Sequence, residues 1–382
     1  MSQFDRLRVR GFRRLADADV ELRPLTVLIG ANGSGKTSIL DVLSMLAKSA
    51  RGGLNTALSE LSGLAAILTH DHADSLSLGL SMTVAEHEPL EYLLQIRPGG
   101  TAYIVTEETL SQRRPRYDFP FLHITSNGAD VKYYEVANGR LVRPTWEYNP
   151  LETSLSQVPK MFREPEQFRN RLASSTFYHV LNVDARSPVR LPQSLGPASL
   201  PGPNGEDLVS CLFYLRETDR DRFDEIEETM RAAFTGFERL EFPPVAAGTL
   251  ALTWRDSRFS KPLFMHQLSE GILRFLWLTT LLRSPGLTAL TLLDEPEVSL
   301  HPELLSLLAG ILREAAKRTQ IVVATHSDRL IRFLEPAEVA VINSDEAGLS
   351  HVARADTLDL ERWLDEYGLD ELWRMGRLGA RD

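Results

Sequence analysis

The sequence lacks the features of a secreted or membrane-spanning protein. Cys211 is the only cysteine among 382 residues, which excludes an intrachain disulfide and a zinc site built from several thiolates. The first residues are charged and contain no apolar signal core. No apolar run approaches the roughly 20 residues that a membrane helix requires. We therefore expect a cytoplasmic protein without a membrane partner.

Positive charge is also scarce. The chain has 42 lysine and arginine residues against 52 aspartate and glutamate residues, a formal net charge of −10. That balance argues against binding of nucleic acid over the whole surface, although a local basic strip stays open. Its candidates are Arg6, Arg8, Arg10, Arg13, Arg14, Arg113, Arg114 and Arg116. The simpler interpretation of these arginines is a solvated strand face and a surface loop.

The pattern of apolar residues predicts an α/β fold. Residues 4–10 and 25–29 are predicted strands, and residues 34–48 a helix. Residues 75–150 alternate short apolar and polar runs separated by turn residues, which predicts an antiparallel β meander. A strand at 177–183 and a loop rich in proline and glycine follow. A stripe of apolar residues then predicts a helix with one buried face: Phe223, Ile226, Met230, Phe234 and Phe237.

The last third of the chain alternates predicted helices and strands. These elements are 272–282, 289–293, 303–316, 321–324 and 339–342. Such alternation predicts βαβ units and a mostly parallel sheet. Because no long heptad run is present, we expect no coiled-coil arm.

The segment GANGSGKTS follows an apolar strand and opens a helix, as a phosphate-binding loop requires. Its glycines let consecutive backbone N–H groups turn toward phosphate oxygens, and the helix N-terminus adds a favourable dipole. Lys36 is predicted to reach the β- and γ-phosphates, and the Thr37 hydroxyl to bind Mg²⁺. The predicted nucleotide-binding residues are Gly30, Asn32, Gly33, Ser34, Gly35, Lys36, Thr37 and Ser38.

Two further apolar strands end in polar residues. Asp294 and Glu295 follow the run 289–293, and His326 follows the run 321–325. We expect Asp294 to hold Mg²⁺ through water and Glu295 to act as a general base toward the attacking water. Taken alone, a histidine at a strand end is usually structural.

A fourth motif, Leu-Ser-Glu-Gly at 268–271, immediately precedes the helix 272–282. In isolation Ser269 is equally well interpreted as a plain N-cap. The order of phosphate loop, Leu-Ser-x-Gly motif, acidic strand end and histidine resembles that of ABC-type ATPases. The amino-acid sequences of these motifs are most similar to those of the RecF/SMC-like and OLD-like branch. That branch includes stand-alone bacterial ATPases of genome maintenance and phage defence. The runs 7–14 and 372–379 are similar to that group too, so the resemblance covers nearly the whole chain.

The resemblance implies a P-loop NTPase fold, an ABC-type ATPase head with an antiparallel meander, a helical subdomain and a mostly parallel core sheet. It implies ATP and Mg²⁺ as cofactors and an ATP-dependent homodimer whose heads close face to face. Ser269 and Gly271 would then contact the γ-phosphate bound to the other head, and His326 would sense that phosphate within its own head. The segment 299–301 would cross the dimer interface.

One part of the family pattern has no clear counterpart. ABC-type heads usually carry a glutamine after the strand that precedes the helical lobe. Gln193, Gln157 and Arg186 are candidates for that place, and Arg186 follows the predicted strand most directly.

We expect one head over residues 1–382. Its parts would be an N-terminal lobe (1–194), a helical subdomain (195–262), a segment with the signature helix, acidic strand and switch strand (263–345), and a C-terminal helical segment (346–382). After His326 we find no acidic cluster suited to a nuclease, so we expect any effector to be a separate protein.

The sequence thus favours an ATPase that acts as a switch or motor in DNA maintenance, repair or phage defence, with DNA or an effector protein as partner. Two other functions stay open. An energising subunit of a membrane transporter is disfavoured by the long segment between Lys36 and Ser269. A scaffold that binds ATP and hardly turns it over is disfavoured by Glu295.

Overall fold

The computed structural model describes residues 2–100, 102–115, 117–128, 130–358 and 368–376. Arg116 of the predicted basic strip and residues 377–379 of the C-terminal resemblance lie outside the described residues. Within the described part of the chain, no helix is long and apolar enough to span a bilayer.

The helices fall between and after groups of strands. They are α1 (Lys36–Ala50), α2 (Leu54–Glu60), α3 (Leu64–Ile67), α4 (Arg163–Ala173), α5 (Leu208–Thr218), α6 (Arg220–Ala233), α7 (Glu270–Arg283), α8 (Leu304–Ala316), α9 (Asp328–Ile331) and α10 (Leu369–Arg374). The strands of the first half are β1 (Phe4–Phe12), β2 (Leu15–Glu21), β3 (Leu25–Gly30), β4 (Leu76–Val84), β5 (His87–Gly99), β6 (Ala102–Gln112), β7 (Phe121–Ser126), β8 (Val131–Glu135), β9 (Arg140–Val142) and β10 (Thr176–Tyr178). Those of the second half are β11 (Gln193–Ser194), β12 (Phe237–Glu241), β13 (Pro244–Ala246), β14 (Thr249–Leu250), β15 (Thr253–Asp256), β16 (Leu263–Phe264), β17 (Leu290–Asp294), β18 (Gln320–Thr325), β19 (Val339–Ser344) and β20 (Ser350–Arg354).

An eight-stranded sheet forms one layer of the fold. Its order is β2-β1-β4-β5-β6-β7-β8-β9, and its neighbouring strands are antiparallel. In β1 the side chains alternate between the two faces, so Leu7 and Val9 are fully buried while Arg6, Arg8 and Arg10 are exposed. The antiparallel meander predicted for 75–150 is confirmed, and the first two strands join it.

A six-stranded sheet lies at the centre of the fold. Its order is β10-β17-β18-β3-β19-β20. The first five strands run parallel and only β20 is antiparallel. Every residue of β3 is buried because both faces of the sheet are covered. Val27 and Ile29 pack with α5 to α8, whereas Leu28 packs with α1 and the eight-stranded sheet. The mostly parallel core sheet is confirmed.

The predicted helix 223–237 is too long. Helix α6 ends at Ala233, and Phe237 already belongs to β12. Gly236 between them has a φ of 95°, a left-handed conformation that does not continue a helix. Phe237 remains a core residue and Phe234 is partly buried against the core. Their rings pack against Trp254 with centroid distances of 4.2 and 5.6 Å, respectively.

Two segments that we expected to be helical also contain strands. Helices α5 and α6 of residues 195–262 are followed by β12 to β15, and residues 346–382 contain β20 before α10. The strand predicted at 177–183 corresponds to β10, which ends at Tyr178 for a structural reason. Its last residue, Tyr178, pairs with Leu293 of β17, and β17 itself ends one residue later at Asp294.

Candidate functional site

Four neighbouring strands of the central sheet end at the same edge. They are β10, β17, β18 and β3, which run parallel to one another. The carboxyl ends of parallel strands form a shared edge where ligands bind in open α/β sheets. Three of the four sequence motifs lie at these strand ends. The exception is the Leu-Ser-Glu-Gly segment.

The glycine-rich segment connects β3 to α1. Gly30 is the last residue of β3, and α1 begins at Lys36. Gly35 has a φ of 102°, which an L-amino acid side chain disfavours. Ser34 is fixed from outside the loop, since its carbonyl accepts a hydrogen bond of 2.7 Å from the Ser350 hydroxyl on β20. Asn32 is exposed.

Lys36 is held inside this segment. Its side chain is 7% exposed, and its Nζ donates hydrogen bonds of 2.8 Å to the carbonyl oxygens of Gly30 and Ala31. Burial lowers the pKa of the Lys36 ammonium, while the charges of Glu295 and Asp294 act in the opposite direction. The arrangement provides one cation at the edge where the acidic strand ends.

Thr37 and Asp294 come together from distant parts of the sequence. The Thr37 hydroxyl donates a hydrogen bond of 3.4 Å to Oδ1 of Asp294. Burial raises the pKa of the Asp294 carboxyl, and the charge of Glu295 acts in the same direction; charge on His179 and the hydrogen bond from Thr37 lower it.

The donor set fits a small, hard cation. A hydroxyl and a carboxylate are oxygen ligands of the kind that Mg²⁺ prefers. No group of three or more His, Cys, Asp or Glu side chains within the described residues could hold a metal ion. A cation here would be held by the Thr37 hydroxyl directly and by Asp294 through water, with its other positions filled by phosphate groups and water.

Glu295 and His326 form a pair next to this site. Oε1 of Glu295 lies 2.8 Å from Nδ1 of His326, and the Glu295 backbone N–H donates to the Ala324 carbonyl at 2.8 Å. Glu295 has a φ of 46°, a left-handed conformation that is unusual outside glycine and that clusters at functional sites. The turn directs Asp294 toward Thr37 and Glu295 toward His326.

Glu297 is a further member of the site, and sequence reasoning missed it. It is 8% exposed, and the Thr325 hydroxyl donates to its Oε1. Its Oε2 has no hydrogen-bond partner among the described residues, and burial raises the pKa of its carboxyl. Thr325 in turn accepts a 3.0 Å hydrogen bond from the Ser327 N–H. Glu297 thus supports the turn that carries His326. The only signal in the sequence is its place in the acidic run after β17.

The Leu-Ser-Glu-Gly segment starts α7 beside the loop that follows β17. Ser269 caps α7 by accepting a 3.4 Å hydrogen bond from the Ile272 N–H. A Cβ on Gly271 would lie 2.8 Å from the Ser299 carbonyl oxygen, so only glycine fits this approach. Arg274 donates a 2.9 Å hydrogen bond to the Ser299 hydroxyl.

Within one chain, the predicted site residues fall into two groups. Lys36, Thr37, Asp294, Glu295 and His326 meet at the sheet edge. Among the described residues, no hydrogen bond joins the Leu-Ser-Glu-Gly segment to the glycine-rich loop. The remaining predicted residues also lie in the loop or at the start of α1: Ser38 is buried and accepts a 3.4 Å hydrogen bond from Arg13, and Gly33 is exposed.

The candidates for the missing glutamine differ in their surroundings. Gln193 is 8% exposed and donates to the Gly205 carbonyl at 2.6 Å. Gln157 accepts a 2.7 Å hydrogen bond from the Asn149 N–H. Both glutamines therefore have partners within local loops, whereas Arg186 is exposed. His179, which sequence reasoning did not consider, directly follows β10.

The arginines of β1 are paired with acidic residues of β2. Arg6 and Arg8 lie 3.2 and 3.7 Å from carboxylate oxygens of Asp19, and Arg10 lies 3.1 Å from Asp17. The exposed face formed by β1 and β2 therefore presents charges of both signs. For these three arginines, the pairing agrees with the simpler interpretation of a solvated strand face.

Comparisons with known proteins agree with this architecture. A family model described as "AAA domain, putative AbiEii toxin, Type IV TA system" matches residues 25–332. An Smc head bound to the C-winged helix domain of ScpA superposes with a TM-score of 0.58 at 15% identity, over 92% of this chain and 97% of that chain. An Smc head domain with an extended coiled coil, bound to the C-terminal domain of ScpA and derived from Pyrococcus furiosus, gives a TM-score of 0.54 at 12% identity, over 99% of both chains. These likenesses confirm the predicted fold.

A local sequence similarity links this chain to an OLD-like protein. The OLD nuclease of Thermus scotoductus is 49% identical to this chain over 41 residues. That stretch covers 11% of this chain and only 8% of the nuclease.

Proposed function

This chain belongs to the AAA domain family whose model matches residues 25–332, and from that premise we propose that it is an ATP-hydrolysing switch. It is a P-loop ATPase head of the SMC/OLD-like type. The observation that carries the proposal is the meeting of Lys36, Thr37, Asp294, Glu295 and His326 at one edge of the central sheet.

Nucleotide binding would use the glycine-rich loop and the start of α1. Lys36 would exchange its two carbonyl partners for the β- and γ-phosphate oxygens, which attract an ammonium more strongly because they are charged. Thr37 and Asp294 would hold Mg²⁺, which neutralises phosphate charge when bound. The buried, pKa-raised state of Asp294 fits this role, since a cation beside the carboxyl offsets the unfavourable effect of burial.

Hydrolysis would use Glu295 and His326. The Glu295 carboxylate would accept a proton from the attacking water, and the hydrogen bond from His326 would orient it. The strained backbone of Glu295 supports this assignment, because such strain persists where the surrounding structure holds a side chain for function. It also favours an ATPase that turns over rather than a scaffold that only binds ATP.

Dimerisation would complete the site. Ser269 and Gly271 lie at the N-terminus of α7, where backbone N–H groups and the helix dipole favour an anion. Since no hydrogen bond links them to the glycine-rich loop of their own chain in the described residues, we propose that they contact ATP bound to a second copy. Residues 299–301 would lie at the same interface, and His301 is exposed there, 3.7 Å from Glu303.

The biological role that we propose is control of DNA maintenance, repair or phage defence. The partial similarity to an OLD nuclease supports a role connected with DNA, and the family description names a toxin of a toxin–antitoxin system. In either setting the closed dimer would act on DNA or on a separate effector protein. The proposed division remains 1–194, 195–262, 263–345 and 346–382.

Lys36→Ala tests the nucleotide assignment. The variant removes the only side-chain cation of the glycine-rich loop, so MgATP affinity measured by calorimetry should fall by at least about a hundredfold. Lys48→Ala is the matched control, because Lys48 lies on the same helix but pairs with Glu60. Equal MgATP affinity in the parent and the Lys36→Ala variant would remove the basis of the proposal.

A further inference from the structure

His179 occupies the fourth strand end of the candidate site. The other three are occupied by the glycine-rich loop after β3, by Asp294 and Glu295 at the end of β17, and by His326 after β18. His179 follows Tyr178, the last residue of β10. Since Tyr178 pairs with Leu293 in a parallel register, His179 stands beside Asp294 across the two strands.

The surroundings of His179 orient its ring and leave it accessible. The imidazole packs against the Phe177 ring, with centroids 4.1 Å apart. The residue is exposed, and among the described residues its ring makes no hydrogen bond. It lines a cleft together with Asp294 and Glu295. An oriented imidazole with free nitrogen atoms thus faces the acidic end of β17.

We propose that His179 is a binding residue of the ATP–metal site, where its imidazole hydrogen-bonds to a water molecule in the hydration shell of the divalent cation held by Thr37 and Asp294. The inference rests on the proposed function. Thr37 and Asp294 leave several positions of the cation to phosphate and water. A histidine nitrogen is suited to such a water molecule because it can donate or accept a hydrogen bond. His179 would then take the place for which the sequence offered Gln193, Gln157 and Arg186.

The test separates metal-dependent from metal-independent ATP binding. Calorimetry measures ATP affinity with Mg²⁺ and with EDTA for the parent, His179→Ala and His179→Gln. In EDTA the three proteins should bind ATP alike. With Mg²⁺, His179→Ala should bind roughly three- to tenfold more weakly, which is the effect of one lost hydrogen bond. His179→Gln should stay within about threefold of the parent, because its amide can also bond to water. His87→Ala, an exposed histidine of β5, is the control.

The outcomes distinguish this inference from the proposed function. If Mg²⁺ strengthens ATP binding equally in the parent and in both His179 variants, the ring only packs against Phe177 and the inference is wrong. If both variants lose affinity equally in EDTA and in Mg²⁺, His179 supports the loop rather than the cation shell, and the inference is again wrong. If the parent itself does not bind MgATP, the proposed function fails.

Discussion

At the scale of single residues, two adjacent carboxylates have different surroundings. Asp294 accepts a hydrogen bond from Thr37, and Glu295 pairs with His326. The difference follows from the left-handed backbone of Glu295, which turns the second carboxylate away from the first. One short segment thereby provides a carboxylate for the cation and another for the attacking water.

A buried histidine outside the site should control stability in mild acid. His123 is 7% exposed, and burial lowers its pKa from the ordinary 6.5 to about 4. Glu164, 4.0 Å away, raises this pKa, and Arg114 lowers it. Nε2 of His123 has no hydrogen-bond partner in the described part of the structure. Its side chain therefore favours the neutral form in the folded protein.

The sign of the pH dependence follows from this lowered pKa. Above pH 6.5 the ring is neutral in both the folded and the unfolded chain. As the pH falls from 6.5 to 4, only the unfolded chain takes up the proton. The free energy of unfolding therefore falls by up to about 3 kcal/mol. His123→Phe should remove this loss, which urea unfolding at pH 7.5 and pH 4.5 measures. Parallel pH profiles for parent and variant would contradict the assignment, and His87→Phe controls for an exposed histidine.

The residues that sequence predicts best are those defined by local motifs. Lys36 and Thr37 occur in a segment whose spacing alone indicates a phosphate loop, and the structure joins Thr37 to Asp294. His179 and Glu297 could not be found in this way. The position of His179 depends on the pairing of β10 with β17, and that of Glu297 on its hydrogen bond with Thr325 of β18. A local sequence pattern contains neither of these contacts.

At the scale of elements, helix α7 and the loop after β17 are coupled. Gly271 lies against the Ser299 carbonyl, and Arg274 donates to the Ser299 hydroxyl and to the Val298 carbonyl at 2.9 and 3.3 Å. Ser299 has a φ of 62°, so this loop is shaped for the contact. The start of α7 is therefore tied by hydrogen bonds to the segment that follows Glu295.

Strand β20 fixes the glycine-rich loop from the opposite side. Ser350 is 1% exposed, and its hydroxyl donates a 2.7 Å hydrogen bond to the Ser34 carbonyl. Ser350→Ala should weaken ATP binding by roughly three- to tenfold, because one buried hydrogen bond that positions the loop is lost. Calorimetry measures the change, with Ser344→Ala, an exposed serine of β19, as the control. Unchanged ATP affinity would mean that the loop keeps its shape without β20.

The prediction of elements succeeded where periodicity was long and failed where tertiary contacts decide. The antiparallel meander and the parallel sheet have strong alternating or apolar patterns. The end of α6 depends on Gly236, and β20 forms because β19 offers it an edge.

The complete burial of Glu108 could not be predicted from the sequence either. Glu108 accepts hydrogen bonds from the Tyr92 hydroxyl and the Leu155 N–H at 2.9 and 2.8 Å.

At the scale of the whole molecule, the charge distribution limits how DNA could be bound. The arginines of β1 are paired with Asp17 and Asp19. In the later loop, Arg114 lies over the Phe121 ring at 4.0 Å, which leaves its charge accessible. DNA or an effector protein would therefore meet a surface with charges of both signs on a single head. Dimerisation would determine which surface the two heads present together.

We propose that ATP closes two copies of this chain around Glu295 and Ser269. Light scattering of Glu295→Gln with and without MgATP tests it most directly, because the variant should bind ATP but hydrolyse it slowly. We expect the mass to rise from that of one 42.9 kDa chain to about twice that value, and Ser269→Arg in the same background to prevent the rise by blocking the second copy's approach to the γ-phosphate. A mass that is the same with and without ATP, or that doubles despite Ser269→Arg, would contradict ATP-dependent closure of two copies.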